Sequence, residues 1–189
     1  KSRDTERLFT CASGWPLLEG NDFHVPPEPR LQRWGEGLES GINSKPPTTL
    51  SDYRDYVLQH AQPVIAHEIG QWCVFPDLDE RSKYQGVTRA KNFDIFADFL
   101  AEADMADQAE EFLKASGALQ ELCYKADIEA ALRTSGFGGF QLLGLNDFPG
   151  QGTAPVGLCD AFWDIKPYAS AERFREFCNP TVPLAKLSK

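Results

Sequence analysis

No stretch of the 189 residues is apolar for anything near the length that a membrane-spanning helix needs. Positive charge is also in deficit: 19 basic residues stand against 28 acidic ones, a net charge of −9. A nucleic-acid backbone or an anionic membrane surface demands a basic face, so neither is expected as a partner. The five cysteines, Cys11, Cys73, Cys123, Cys159 and Cys178, are odd in number and include no CxxC pair or Cys/His cluster. A zinc site is therefore not expected, nor any other metal or cofactor, and at least one thiol is free or intermolecular. The chain has no GxSxG elbow, no P-loop and no internal repeat. Its glycine-rich "GFGGF", Gly136 to Phe140, precedes an apolar run instead of linking a strand to a helix, which leaves a dinucleotide fingerprint unsupported. A Cys73–His67 nucleophile pair would need convergence that the sequence does not supply. No secretion signal is visible, and "KSRDTERLFT" starts without methionine, as a segment continuing from upstream would.

What is present reads as α/β. "RLFTCAS", Arg7 to Ser13, is strand-like, and Asp22 to Val25 is a possible short strand within a long proline-rich irregular passage. Ser51 is placed to cap a helix carrying Tyr53, Tyr56, Val57 and His60 on one face. Pro63 to His67 is an apolar strand. Residues 87–134 show helical stripes: Phe93, Phe96, Phe99 and Leu100, then Ala109, Phe112 and Leu113. A break is expected at Ser116-Gly117, then comes a stripe of Leu119, Leu122, Cys123 and Ala126 that stops at Thr134-Ser135-Gly136. Gly138 to Phe148 is a second apolar strand, and Ser170 is placed to cap a last helix with Phe174, Phe177 and Cys178. Two strands that are apolar throughout, separated by helices, predict a parallel sheet covered on both faces.

Both apolar strands end in polar residues. "QPVIAHEIGQWCVF" puts His67-Glu68 at the downstream end of the first, and "LNDFPGQG" puts Asn146, Asp147 and Gln151 after the second. In a parallel α/β barrel that end is the catalytic rim. Glu68 is thus a candidate nucleophile or general acid/base, against the plainer reading of an ion pair with an arginine from a neighbouring loop. Gly70 permits close approach, and Trp72 offers an apolar face of the kind sugar rings pack against. Trp15, Asp22, His24, His67 and Gln71 are further rim candidates. Their plainer readings are core for Trp15, a satisfied loop histidine for His24 and a Pro-Gly turn cap for Asp147.

At "PVIAHEIGQW" and "GGFQLLGLNDFPGQGTAPVGLCDAFW" the chain resembles the C-terminal half of a glycoside hydrolase family 2 type catalytic barrel. It is most similar to large multidomain bacterial enzymes of the β-galactosidase-like, sugar-binding kind. The resemblance spans essentially the whole chain and implies a partial (β/α)8 barrel covering about strands 5–8. "TERLFTCAS" would be the fifth strand, "NDFHV" the sixth and "GFQLLGLND" the eighth. A helical insertion over about residues 76–136 would restrict the pocket to chain ends. By the same resemblance Glu68 is the nucleophile of a retaining mechanism. Trp15, Asp22, His24, His67, Gln71, Trp72, Asn146, Asp147 and Gln151 would bind a β-linked oligosaccharide or glycoside. His67-Glu68-Ile69-Gly70 departs from the family's usual Ser-Glu-Tyr/Phe-Gly. The family's acid/base lies in an Asn-Glu pair ending the fourth strand, and no Asn-Glu dipeptide occurs in the chain. The acid/base is therefore expected upstream, the remainder of a parent chain becomes a partner, and this piece alone is expected to be inactive. Export to the periplasm or outside a bacterial cell is implied by analogy. Two alternatives stand beside this: a non-catalytic carbohydrate-binding or scaffolding module on a degenerate barrel, and a self-sufficient enzyme pairing Glu68 with Asp22, Glu28 or Asp147.

Overall fold

The computed structural model describes residues 3–32 and 35–188. In chain order its regular elements are α1 (Arg54–Val57), β1 (Val64–Ile69), α2 (Lys91–Glu102), α3 (Ala109–Arg133), β2 (Phe137–Leu142) and α4 (Ala171–Arg175), with short 3-10 turns between them. They fall into two compact units. The first takes in residues up to Gln71, Tyr124–Leu143 and those from Phe177 onward; the second is Trp72–Cys123 with Gly144–Glu176.

The protein is mixed α/β, and β1 and β2 pair in parallel, as expected for two largely apolar strands separated by helices. Val64, Ala66 and Ile69 of β1 are buried. Its other edge is not open. His24 bridges Val64 in parallel, His24 N–H donates to the Pro63 carbonyl (2.8 Å), Ile65 N–H to His24 (2.9 Å) and His67 N–H to Pro26 (3.0 Å). The expected Asp22–Val25 strand is therefore a short ribbon alongside β1. Coverage on both faces is incomplete: in β1 Val64 and Ala66 are buried while Ile65 and His67 are only half-buried, and in β2 Gly138 and Gln141 are exposed. Strand pairing ends at Leu142, so Asn146 and Asp147 lie beyond β2.

Three other expectations need correction. "RLFTCAS" forms no strand because Asn21 and Asp22 take up its backbone. Phe9 N–H donates to Asp22 Oδ2 (2.8 Å), Cys11 N–H to Asn21 Oδ1 (3.1 Å), and Asp22 N–H returns a bond to the Phe9 carbonyl (2.8 Å). Ser51 caps nothing. α1 begins after Tyr53 and tightens into i→i+3 bonds at Gln59 and His60 before Pro63, although its aromatic face packs as the spacing implied. Tyr53 lies 5.6 Å from Phe137 and Tyr56 4.9 Å from His60, ring centre to ring centre.

The third correction is in the second unit, where α3 runs unbroken through Ser116-Gly117. Ser116 Oγ donates back to the Phe112 carbonyl (2.6 Å) and accepts from Phe75 N–H (2.8 Å). A Cβ on Gly117 would sit 2.2 Å from the Tyr168 ring, so the glycine serves close packing and not termination. Phe75 lies between Phe96 and Phe112, 5.7 Å from each. Gln120 joins the Trp72 and Val156 carbonyls (2.7 and 2.9 Å) and accepts from Tyr168 Oη (2.7 Å). The stop at Gly136, φ +78°, and the Ser170 cap on α4 fall where the sequence puts them, but α4 ends at Arg175, short of the expected Phe177 and Cys178. Among the described residues no helix is long and apolar enough to cross a membrane.

Candidate functional site

At its downstream end β1 stops being a regular strand. The register with β2 shifts between Ala66 and Ile69, and Glu68 adopts φ +56°. For a residue with a Cβ this conformation costs on the order of 1–2 kcal/mol, so the surroundings must impose it. Two contacts do so. Arg30 Nη1 donates to the carbonyls of both His67 (2.8 Å) and Glu68 (2.6 Å). Two residues on, Gly70 takes φ +91° beneath Tyr124, whose ring atoms come within 2.4 Å of where a Cβ would be. Any side chain at position 70 would collide with Tyr124, so the chain can turn there only as glycine.

The Glu68 carboxylate itself is 39% exposed. Its oxygens face His67 Nε2 at 3.3 Å and the Gln71 amide nitrogen at 3.4 Å. Both contacts are long. His67 Nδ1 lies 3.4 Å from Gln141 Oε1 on β2, and Gln32 Nε2 donates to the Gln71 carbonyl (3.3 Å). The plainer expectation, a carboxylate held by a loop arginine, is not what forms: Arg30 comes from the loop but grips the main chain.

Behind this mouth lies Asp127, 1% exposed. Its Oδ1 accepts from Leu31 N–H (3.2 Å) and from the Tyr53 hydroxyl, while Oδ2 is buried without a hydrogen-bond partner. Burial pushes the Asp127 carboxyl up to about 6, against the pull of Tyr53, Leu31 and Arg30. Burial and the Asp127 charge likewise hold the Tyr53 hydroxyl well above its ordinary range. Arg30, Gln32, Tyr124 and Asp127 were not candidates from sequence. They sit in a proline-rich loop and on a helix, without any local motif to mark them.

Of the predicted binding residues, His67 and Gln71 flank Glu68, and Trp15, Asp22 and His24 share its unit. Trp15 is 71% exposed. Asp22 is committed to the Phe9 backbone, and His24 is the satisfied loop histidine, with Nδ1 3.3 Å from the Asn21 amide and its ring 5.5 Å from that of His60. Glu28 accepts from the Tyr56 hydroxyl (3.1 Å), whose proton burial and the Glu28 charge hold tightly.

Trp72, Asn146, Asp147 and Gln151 belong to the second unit. Trp72 is buried there. Asn146 donates to the Asp147 carbonyl (3.1 Å). Asp147 is a buried ion-pair member and not a turn cap. Lys166 Nζ reaches both its oxygens (2.8 and 3.0 Å) and Gly157 N–H donates to it (2.8 Å). Burial raises its carboxyl pKa despite Lys166. Gln151 is exposed on a cavity of about 40 Å³ shared with Glu80, Tyr84, Arg89, Asp147 and Phe148. That volume holds a few water molecules and no sugar ring. Burial also raises Glu80. Glu68 does not line this cavity. Among the described residues no group of three or more His, Cys, Asp or Glu side chains could hold a metal ion.

The carboxylates named for a self-sufficient pairing with Glu68 each have another partner: Asp22 the Phe9 amide, Glu28 the Tyr56 phenol and Asp147 the Lys166 ammonium. What the mouth of β1 offers chemically is one accessible carboxylate on an imposed, strained backbone, with imidazole and amide beside it. No model of a known protein family matches this chain, and neither does any curated protein.

Proposed function

We propose that this chain carries part of the catalytic centre of a retaining exo-glycoside hydrolase acting on β-linked sugars, with Glu68 as the nucleophile. The observation that supports it is the Glu68 mouth: a partly exposed carboxylate at the downstream end of a parallel strand, on a backbone held at φ +56°. Strain of that kind concentrates at functional sites. A nucleophile must keep a lone pair directed outward, and two long contacts to neutral or weakly basic partners leave it one. In the reaction Glu68 would attack the anomeric carbon and displace the aglycone, which leaves as an alcohol with a proton from the second carboxyl group. Water, giving its proton to that same group, would then hydrolyse the glycosyl ester and free Glu68. The second carboxyl group, needed at about 5–5.5 Å, would be supplied by a residue outside these 189.

A 2-deoxy-2-fluoro glycoside with an activated leaving group tests this in the full-length enzyme. The expected result is a covalent adduct on the peptide containing Glu68, with turnover reduced roughly 10³-fold or more in Glu68→Gln. An unlabelled Glu68 in an enzyme that turns over the parent glycoside would end the reading. One observation favours a second reading, a carbohydrate-binding module without catalysis: among the described residues the partners of the Glu68 carboxylate are His67 and Gln71, not another carboxyl group. Sugar binding that persists in Glu68→Gln, with no adduct and no turnover in the parent, would decide for it.

A further inference from the structure

We propose that Arg30 is the positioning residue for Glu68: its guanidinium clamps the main chain on both sides of the Glu68 Cα and so fixes the direction in which the carboxylate leaves the strand. In an extended strand successive carbonyls point to opposite sides, and one donor nitrogen cannot reach two of them. Here a single Nη1 reaches the His67 and Glu68 carbonyls at 2.8 and 2.6 Å. That is possible because φ +56° turns both to one side, and the register shift between Ala66 and Ile69 marks the same spot. The clamp and the strained conformation therefore depend on each other.

Arg30 is itself held. Pro29 before it is fully buried, and Leu31 after it donates to Asp127 Oδ1 (3.2 Å). Upstream, His24 and Pro26 are bonded to β1. The proline-rich passage that reads as irregular is thus an arm fastened at both ends of its buried part, with Arg30 projecting from it onto Glu68. The arm needs no side chain of Glu68 to work, since every bond it makes to that residue is to the backbone.

The clamp can be tested without any assumption about activity. Glycine tolerates φ +56° and alanine does not, so with Arg30 present Glu68→Gly should exceed Glu68→Ala in stability by roughly tenfold in the unfolding constant. In an Arg30→Met background the freed backbone relaxes and that gap should close. An undiminished gap would overturn the clamp. If Arg30→Met does not fold, Arg30→Lys keeps charge and stem but loses the planar fork; there the gap should fall by at least half, and an unchanged gap counts equally against the proposal. The catalytic meaning of the clamp rests on the glycosidase reading. On that reading Arg30→Lys slows fluoro-glycoside labelling of Glu68 at least tenfold with KM unchanged, and equal labelling rates would strip Arg30 of its positioning role. If the wild-type enzyme is never labelled, the glycosidase reading fails while the stability comparison still decides the clamp.

Discussion

Glu68 and Asp147 carry the same sequence signature, an acidic residue at the end of an apolar run, and the fold treats them in opposite ways. Asp147 is buried, and Lys166, itself 3% exposed, holds it at 2.8 Å. Glu68 is partly exposed, with partners no nearer than 3.3 Å. In the first unit the strain lies in the backbone and the carboxylate is left open. In the second the backbone carries no such strain at the acid and the charge is neutralised. The difference teaches that an acidic residue following an apolar run does not by its position say whether its charge is for use or for structure. What decides is the partner, and the partner of Asp147 lies nineteen positions downstream, at Lys166.

The most severe way to probe that contrast is to remove the lysine. Lys166→Met strands the Asp147 carboxylate in a buried site, and breaking a buried pair from one side costs about 3–5 kcal/mol. Urea denaturation should show most of that loss at neutral pH, and a fall of less than 1 kcal/mol would mean that Asp147 is solvated. Adding Asp147→Leu to Lys166→Met should recover much of it, since replacing both charges removes the stranded one.

Asp127 sharpens the comparison as a third case, a buried carboxylate with neutral donors on its hydrogen-bonded oxygen and, among the described residues, no ion pair. Its folded pKa of about 6 stands above the ordinary 3.8, so between those values the folded state keeps a proton that the unfolded chain has released. Stability contributed by this group is full at acid pH and is lost as pH rises from about 4 to 6, in total on the order of 3 kcal/mol. The charges facing it are those of Arg30 and, through the Tyr53 hydroxyl, Arg133. Asp127→Asn should flatten that segment of the stability–pH curve relative to wild type. A curve of unchanged slope would place the proton elsewhere.

How much of this could be read from the residues follows from the range of the interactions. The parallel pairing of β1 and β2 was legible because each strand grows from a largely apolar segment and helices separate the two, and the end of α3 because Gly136 is a local stop. Gly117 was misread because a glycine in a helix looks alike whether it ends the helix or admits the Tyr168 ring, which belongs to a residue far along the chain. "RLFTCAS" was misread because Asn21 and Asp22 captured its amides before a neighbouring strand could. At the site, Glu68 stood out because charge at a strand end is conspicuous, and His67 and Gln71 came with it as near neighbours in sequence. Arg30 and Asp127 could not be seen, since a guanidinium 37 and 38 positions from the carbonyls it binds leaves no periodic trace.

The smallest expected effect is the most telling. Glu68→Gln keeps the Cβ, the φ and the Arg30 bonds to the backbone, and it removes only a charge that is 39% exposed and loosely partnered. Its effect on stability should stay within about 0.5 kcal/mol, the range for surface changes away from special features. The same loss of charge at Asp147, by Asp147→Asn, leaves Lys166 buried beside a neutral amide and should cost several times more. A Glu68→Gln variant as destabilised as Asp147→Asn would mean that the two carboxylates are structural alike, and the open one would then need no substrate to explain it. If Glu68→Gln stays neutral in stability while its reaction with fluoro-glycoside is lost, the strain at φ +56° is serving the carboxylate and not the fold.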